Sequence, residues 1–392
     1  MRRIGIEERR ARLGLRHRIA RPARTVEEVA AAMVGLHSSD PATVYLAAWA
    51  RVDGFNPADL EGALYDRKSL VRMLGMRRTL FVVSLDLAGV MDEACTKALA
   101  PGERRRLIQM LEAQGIAPDG EGNRWLDRVA AETLDALTAR EEATARELTK
   151  DVPDLGAKLS FGEGKTWAGT MGVSTRVLFL LATEGRILRA RPLGTWTSGQ
   201  YRWAPTESWL GAPLSRIEHS DACGELLTRW LGAFGPATVT DIRWWTGWTA
   251  KLATKTLDAV GAVEVELEDG VGYVLPDDLE QVDDVDAWVS LLPGLDPTVM
   301  GWKDREWYLG DHASELFDRN GNAGPTVWSN GRVVGGWAQL DDGEVVVELL
   351  EPVDARARTL IAAECERLRD WLGDVRIRPR FRTPLERSLS KP

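Results

Sequence analysis

Apolar residues recur at helical spacing from position 26 to 36, in TVEEVAAAMVGL, with Thr25 placed as an N-cap. Residues 42–52 and 57–66 carry the same period and predict two more helices. LVRMLGMRRTLFVVS then moves from helical spacing to a β-rich end. Helix, helix, helix, strand is the order of a small helical DNA-reading module. The order recurs. Residues 124–139 form an amphipathic helix, 144–150 start a short second one, and VSTRVLFLLATEG is a third, ended by Gly185. RILRARPLGTWTSGQYRWAP alternates around Pro and Gly, which predicts a hairpin.

A third copy follows as GELLTRWLGAFG, ATVTDIRWWTG and TAKLATKTLDAVG, closing on the strand pair AVEVELEDG and VGYVLP. Beyond it, WVSLLPGLDPTVM, TVWSNGRVVGGWAQL and EVVVELLEPV are β-branched runs broken by Asn-Gly and Asp-Gly turns. They predict a meander or small barrel covered by a last helix, DARARTLIAAECERLRDWLG. The expected fold is α+β, with tandem winged helix-turn-helix modules and a C-terminal β-barrel-like domain. The expected divisions are 1–105 (basic arm and first module), 106–215 (second module with its wing hairpin), 216–280 (third module) and 285–392 (the β-barrel-like domain with its helix).

Composition narrows the class. The chain has 392 residues, 44% hydrophobic and 28% charged, as in an ordinary globular protein. No apolar run nears the roughly 20 residues of a membrane helix, and the N-terminus lacks the apolar core of a secretory signal. We therefore expect a cytoplasmic, nucleoid-associated protein without membrane contact. Three cysteines and four scattered histidines exclude a disulfide framework and predict no metal site. The Gly-rich FGEGKTWAG lacks P-loop spacing and follows no predicted strand, so nucleotide binding is not expected.

The net charge of −9 argues against a polyanionic partner, but its distribution argues otherwise. Residues 1–24 hold nine arginines against Glu7 and Glu8, hence about +7, while PDDLEQVDDVD at 276–286 holds six acids and no base. We read the first as a basic arm that hints at nucleic acid, with a solvated basic helix face as its plain alternative, and the second as a solvated linker.

Candidate chemistry centres on LHSSDP, residues 36–41, a polar break between two apolar helical runs. Ser39 or Asp40 as N-cap with Pro41 at N1 is an ordinary helix start. His37 has no capping duty and can position a water through a neutral ring nitrogen. In the predicted hairpin, Arg189, Arg191, Trp196 and Arg202 interleave cations with aromatics. That mixture suits a wing lying along a phosphate backbone, and its plain alternative is inward aromatic packing. Trp244, Trp245 and Trp248 are read as core.

GAFGPATVTDIRWWTGW, GTWTSGQYRWAP, LLPGLDPTVMGWKDRE and PTVWSNGRVVGGW resemble signature blocks of the bacterial winged-helix DNA glycosylases, the AlkZ-like and YcaQ-like proteins, in the same order over nearly the whole chain. The resemblance implies winged helices and a β-barrel around a concave basic cleft. It also implies excision of alkylated purines from duplex DNA without metal or cofactor, by a protein expected to be monomeric. Family catalysis rests on Gln-x-Gln or Gln-x-Asp at a helix break. His37 falls on the first Gln, Ser38 on the spacer and Ser39 on the last position, so both catalytic side chains depart from the pattern. Asp40 could supply the negative charge one place later. The resemblance further implies phosphate contacts for Arg77 or Arg78, which precede a strand, and for Arg305 on the barrel wall; Asp296 beside it reads as a turn residue. A non-catalytic DNA-binding protein, a damage sensor or transcriptional regulator on the same scaffold, is the alternative.

Overall fold

The computed structural model describes residues 1–162, 164–165, 168–282 and 285–391. The chain is mixed α+β and divides into two compact units: Met1–Leu70 with Phe81–Ser84 and Cys223–Pro392, and Val71–Leu80 with Leu85–Ala222. Among the described residues no helix is long and apolar enough to cross a membrane.

In the first unit, helix Val26–Ala32 starts where expected, with Thr25 Oγ1 accepting the Glu28 amide. It ends earlier than its apolar period, because Val34 turns into the left-handed region (φ 60°) and Leu36–His37 becomes a short strand. Helix Pro41–Trp49 follows. Helix His219–Phe234 leads to helices Val239–Thr246 and Ala250–Ala259 and then to the antiparallel pair Val263–Leu267 and Gly270–Val274. The β-branched tail forms four antiparallel strands in sequence order, Val289–Leu292, Thr326–Ser329, Arg332–Gln339 and Val345–Leu349. This is an open sheet where a barrel-like closure was expected. Its tightest turn is Asn330-Gly331, both at positive φ (47° and 80°), the geometry that Asn-Gly favours. Helix Ala355–Leu372 packs on the sheet.

The tryptophans supply much of the first unit's core. Trp230 and Phe234 stack at 5.5 Å, Trp302 meets Phe234 at 5.2 Å, and Tyr308 stacks on Trp328 at 5.4 Å. Trp245 and Trp248 are buried, as expected of a packing motif, and Trp244 is half-buried.

The basic arm and the acidic segment need correction together. The arm is helix Ile6–Arg16 behind a strand, Arg2–Arg3, that pairs in parallel with Val263–Leu267. Arg12 is buried, and its guanidinium donates to Asp278 Oδ1 (2.7 Å), Glu8 Oε1 (2.8 Å) and the Glu280 carbonyl (2.7 Å). Arg16 reaches the same Asp278 carboxylate. Arg12 and Arg16 are thus met by Asp278 of the acidic segment, whose Asp283 and Asp284 lie outside the described residues. Opposite charges far apart in sequence are invisible to a local reading.

In the second unit, helices Ala100–Ala113, Gly122–Arg140, Ala145–Asp151 and Val173–Thr183 close over Leu107, Leu111, Leu126, Val129, Leu148, Val177 and Leu181. Thr144 and Glu147 form a reciprocal capping box at the start of Ala145–Asp151. The predicted hairpin is present as Ile187–Pro192 and Tyr201–Pro205. Two local expectations fail. Residues 70–84 contain two strands, Leu70–Leu74 and Leu80–Ser84; LVRML is buried at all five positions, and a fully buried strand gives no period of its own. The Gly-rich segment does follow a strand, Lys158–Phe161, yet it returns into the antiparallel strand Gly169–Gly172 rather than into a helix. Its Glu163, Thr166 and Trp167 lie outside the described residues.

Asp92 in this unit is a buried carboxylate with little compensation. Lys97 Nζ stands 3.5 Å from Oδ2, and Oδ1 has no hydrogen-bond partner among the described residues. Burial pushes its pKa up to about 6, opposed by Lys97. The folded state therefore binds this proton more tightly than the unfolded chain does. That contribution is complete below the ordinary value of 3.8 and is lost as pH rises through about 6. At neutral pH the charge costs up to about 3 kcal/mol, at about 1.4 kcal/mol per pK unit. Asp92→Asn is expected to raise the urea midpoint at neutral pH and to flatten stability between pH 3.8 and about 6 relative to wild type. An unchanged midpoint would remove the burial argument.

Candidate active site

The polar break lies between helices Val26–Ala32 and Pro41–Trp49, and its conformation is set from both sides. Upstream, Val34 is a fully buried β-branched residue at positive φ, which is sterically unfavourable. Gly35 next to it lies so close to the sheet that an added Cβ would meet Val83 at 3.2 Å and Phe81 at 3.3 Å. This forced approach brings Leu36 opposite Val82 and His37 opposite Phe81 in an antiparallel pairing.

The His37 imidazole is 6% exposed and meets the Phe81 ring edge-on at 5.1 Å. The Ser39 amide donates to its Nδ1 at 3.4 Å. With Nδ1 accepting, the neutral ring carries its proton on Nε2 and presents a donor there. Ser38 is buried, and its hydroxyl has no partner among the described residues. Ser39 is half-buried.

Asp40 caps the next helix. Its Oδ1 accepts the Ala42 amide at 3.1 Å, with Pro41 in the first turn. Its Oδ2 accepts the Arg380 amide at 2.7 Å, which ties the break to the chain's last segment. Burial raises the Asp40 pKa, and the Arg380 and Ala42 amides oppose that rise. A narrow recess, lined by Asp40, Thr43, Leu46, Trp337, Gln339 and Ile377 among others, opens beside it.

Of the residues singled out in the sequence, His37, Ser39 and Asp40 lie together in the first unit, and Arg305 belongs to the same unit but to its aromatic region. Arg305 lies between Trp244 (5.1 Å) and Phe317 (4.7 Å) and donates to the Trp302 carbonyl at 2.9 Å. The remaining arginines and Trp196 belong to the second unit. Arg77 and Arg78 are exposed, and both occupy the left-handed region (φ 51° and 66°), where two consecutive arginines are strained. Arg78 pairs with Glu103. The hairpin divides by face. Arg189 lies flat over Trp203, its cross-strand partner, at 3.7 Å, while Arg202 is 42% exposed and 3.8 Å from Glu142. Arg191 and Trp196 are half-buried. Among the described residues no three His, Cys, Asp or Glu side chains cluster as metal ligands.

Two groups escaped sequence reasoning. Asp296 is no mere turn residue: it is fully buried against Arg51. Arg380 meets the site through both backbone and side chain, and its only sequence signal is the alternation of arginines in RIRPRFR.

The sequence pattern of the family described as "DNA glycosylase AlkZ-like" matches residues 30–371. A curated relative, the interstrand DNA cross-link repair glycosylase of Streptomyces sahachiroi, is 29% identical over 150 residues, spanning 36% of this chain and 40% of that protein's length. The solved structure of the Streptomyces sahachiroi DNA glycosylase AlkZ superposes with a TM-score of 0.71 at 22% identity, over 94% of this chain and 97% of the other. At that identity the superposition speaks for the fold.

Proposed function

This chain belongs to the AlkZ-like DNA glycosylase family, and from that premise we propose that it excises alkylated purines from duplex DNA as a monofunctional glycosylase. The observation that carries the reading is the polar break, where a buried histidine, its Nδ1 facing the Ser39 amide, stands three positions from a buried carboxylate. An alkylated purine is already cationic and leaves readily, so the protein's task is to hold a water against C1′ and to balance the developing positive charge. His37 Nε2–H holds the water oxygen. Asp40 supplies the negative charge and takes the proton as the new C1′–O bond forms.

Elements within each unit support a DNA-binding reading. The helix–helix–helix–hairpin order ending at Gly270–Val274 and the Ile187–Pro192/Tyr201–Pro205 hairpin support a reading as winged-helix modules. On this reading Arg77, Arg78, Arg191, Arg202 and Trp196 meet the duplex. Arg189 and Arg305, laid on aromatic rings, shape the surfaces that do so. The protein acts as a monomer at the nucleoid.

One observation favours a narrower version for Asp40: both its oxygens are engaged by backbone amides, as in a purely structural cap. The pH profile separates the two. If ionised Asp40 is required, its raised pKa moves the acid limb of kcat/KM upward from the ordinary aspartate value, with the rate falling as pH drops through it. Asp40→Asn then loses both the limb and most of the rate. If Asp40 is only a cap, the Asn variant keeps the wild-type profile and loses stability alone, by about 1–3 kcal/mol for one unmatched amide. The activity itself is tested by release of free 7-methylguanine or 3-methyladenine from methylated duplex, run beside a gel shift. Base release supports the enzyme. Tight binding with no release, for either base, refutes it.

A further inference from the structure

The last segment of the chain carries arginine at every second position, Arg376, Arg378, Arg380 and Arg382, and lies beyond the residues that the family pattern matches. Three of the four are occupied within the protein. Arg376 directs its guanidinium onto the carbonyls of Asp341 (3.0 Å), Asp342 (2.8 Å) and Gly373 (2.8 Å). Arg378 pairs with the Asp341 carboxylate. Arg382 forks onto Glu386 at 2.6 and 3.0 Å and also reaches Ser390.

Arg380 differs. Its backbone amide holds Asp40 Oδ2, yet among the described residues its exposed guanidinium makes a single long hydrogen bond, to the Ser39 carbonyl at 3.3 Å. A guanidinium has five N–H donors in a planar fork suited to two phosphate oxygens. Most of that fork is unused, and it is anchored on the residue two places after His37. That hydrogen bond and the 6.0 Å approach to the Phe381 ring are both weak enough to exchange for a charged acceptor.

We propose that Arg380 grips the phosphodiester flanking the target nucleotide, so that one residue fixes Asp40 through its amide and seats the DNA strand through its side chain. The inference rests on the glycosylase reading for the identity of the strand, but not on turnover. The division of labour has a chemical consequence. A side-chain change at Arg380 spares the amide, so the catalytic break keeps its tether while the strand loses its anchor. The contact is to a phosphate and carries no base preference.

Binding tests this without excision. The full chain is titrated into a fluorescein-labelled duplex bearing one tetrahydrofuran abasic-site mimic over a series of salt concentrations. Arg380→Gln is expected to bind about tenfold more weakly, the loss of one charged hydrogen-bonded contact, and to lower the slope of log K against log salt by about one. Arg380→Lys restores the slope. A second duplex carries a neutral methylphosphonate in place of the phosphate beside the mimic. On it the wild type loses about the same tenfold, and Arg380→Gln loses nothing more. Equal losses for wild type and Arg380→Gln on the methylphosphonate, or an unchanged salt slope, overturn the proposal. A wild type that binds neither duplex overturns the DNA-binding reading with it, whereas binding that behaves as expected without base release leaves Arg380's role standing and removes only the catalytic one.

Discussion

Arg51→Met is expected to lower the unfolding free energy by about 3–5 kcal/mol, the usual effect of removing one partner from a buried ion pair. Arg51 and Asp296 are both fully buried. The guanidinium donates to Asp296 Oδ1 (2.7 Å) and Oδ2 (2.9 Å), to the carbonyls of His17 (2.9 Å) and Ala47 (2.9 Å), and to Thr298 Oγ1 (2.8 Å). All five N–H groups are thereby used. The same centre joins helix Ile6–Arg16, through His17, to helix Pro41–Trp49, through Ala47, and to the loop after strand Val289–Leu292. Without Arg51 the Asp296 carboxylate retains, among the described residues, only the Thr298 amide at 2.9 Å. The double variant Arg51→Met/Asp296→Leu is expected to recover part of the loss, because no uncompensated charge stays behind. Urea midpoints of the two variants check this; equal midpoints would show that the carboxylate is hydrated or protonated in the single variant.

His17, in the same cluster, shapes the acid side of the stability curve. Burial, reinforced by Arg51, holds its pKa well below the usual value. The unfolded chain binds this proton and the folded one does not, so stability from His17 is present above about 6.5 and falls as pH drops below it. Asp92 acts with the opposite sign over an overlapping range, which is why its variant is judged by difference from wild type.

The sequence carried the periodic elements well. Helices His219–Phe234, Val239–Thr246 and Ala250–Ala259, the two hairpins and the Asn330-Gly331 turn each declare themselves by local spacing or turn chemistry. What escaped it was long-range. Arg12 and Asp278 stand 266 positions apart, and Arg51 and Asp296 stand 245 apart. Nothing local distinguishes a guanidinium bound for burial from one bound for solvent, so the arm looked like a nucleic-acid surface and Asp296 like a turn. The β-barrel expectation went too far for a related reason: alternation predicts strands but not whether their edges meet. At the candidate site, Asp40 and Pro41 were legible as a helix start, and His37 stood out because it had no such duty. The strain at Val34 and the tether from Arg380 were not legible, since one is a backbone angle and the other comes from the far end of the chain.

The second large effect concerns the imidazole. His37→Ala removes the Nε2–H that holds the attacking water and is expected to slow excision by about a hundredfold or more, with some loss of stability because the buried ring packs on Phe81. Loss of the Ser39–Nδ1 contact costs about 1 kcal/mol at most. The decisive measurement is the single-turnover rate at which alkali-labile sites form in a duplex containing 7-methylguanine, with protein in excess, for wild type and His37→Ala side by side. Abasic sites from the wild type and a drop of about two orders of magnitude or more in a normally folded variant are the predicted result. Equal rates in the two proteins, or no abasic sites from the wild type, would contradict it.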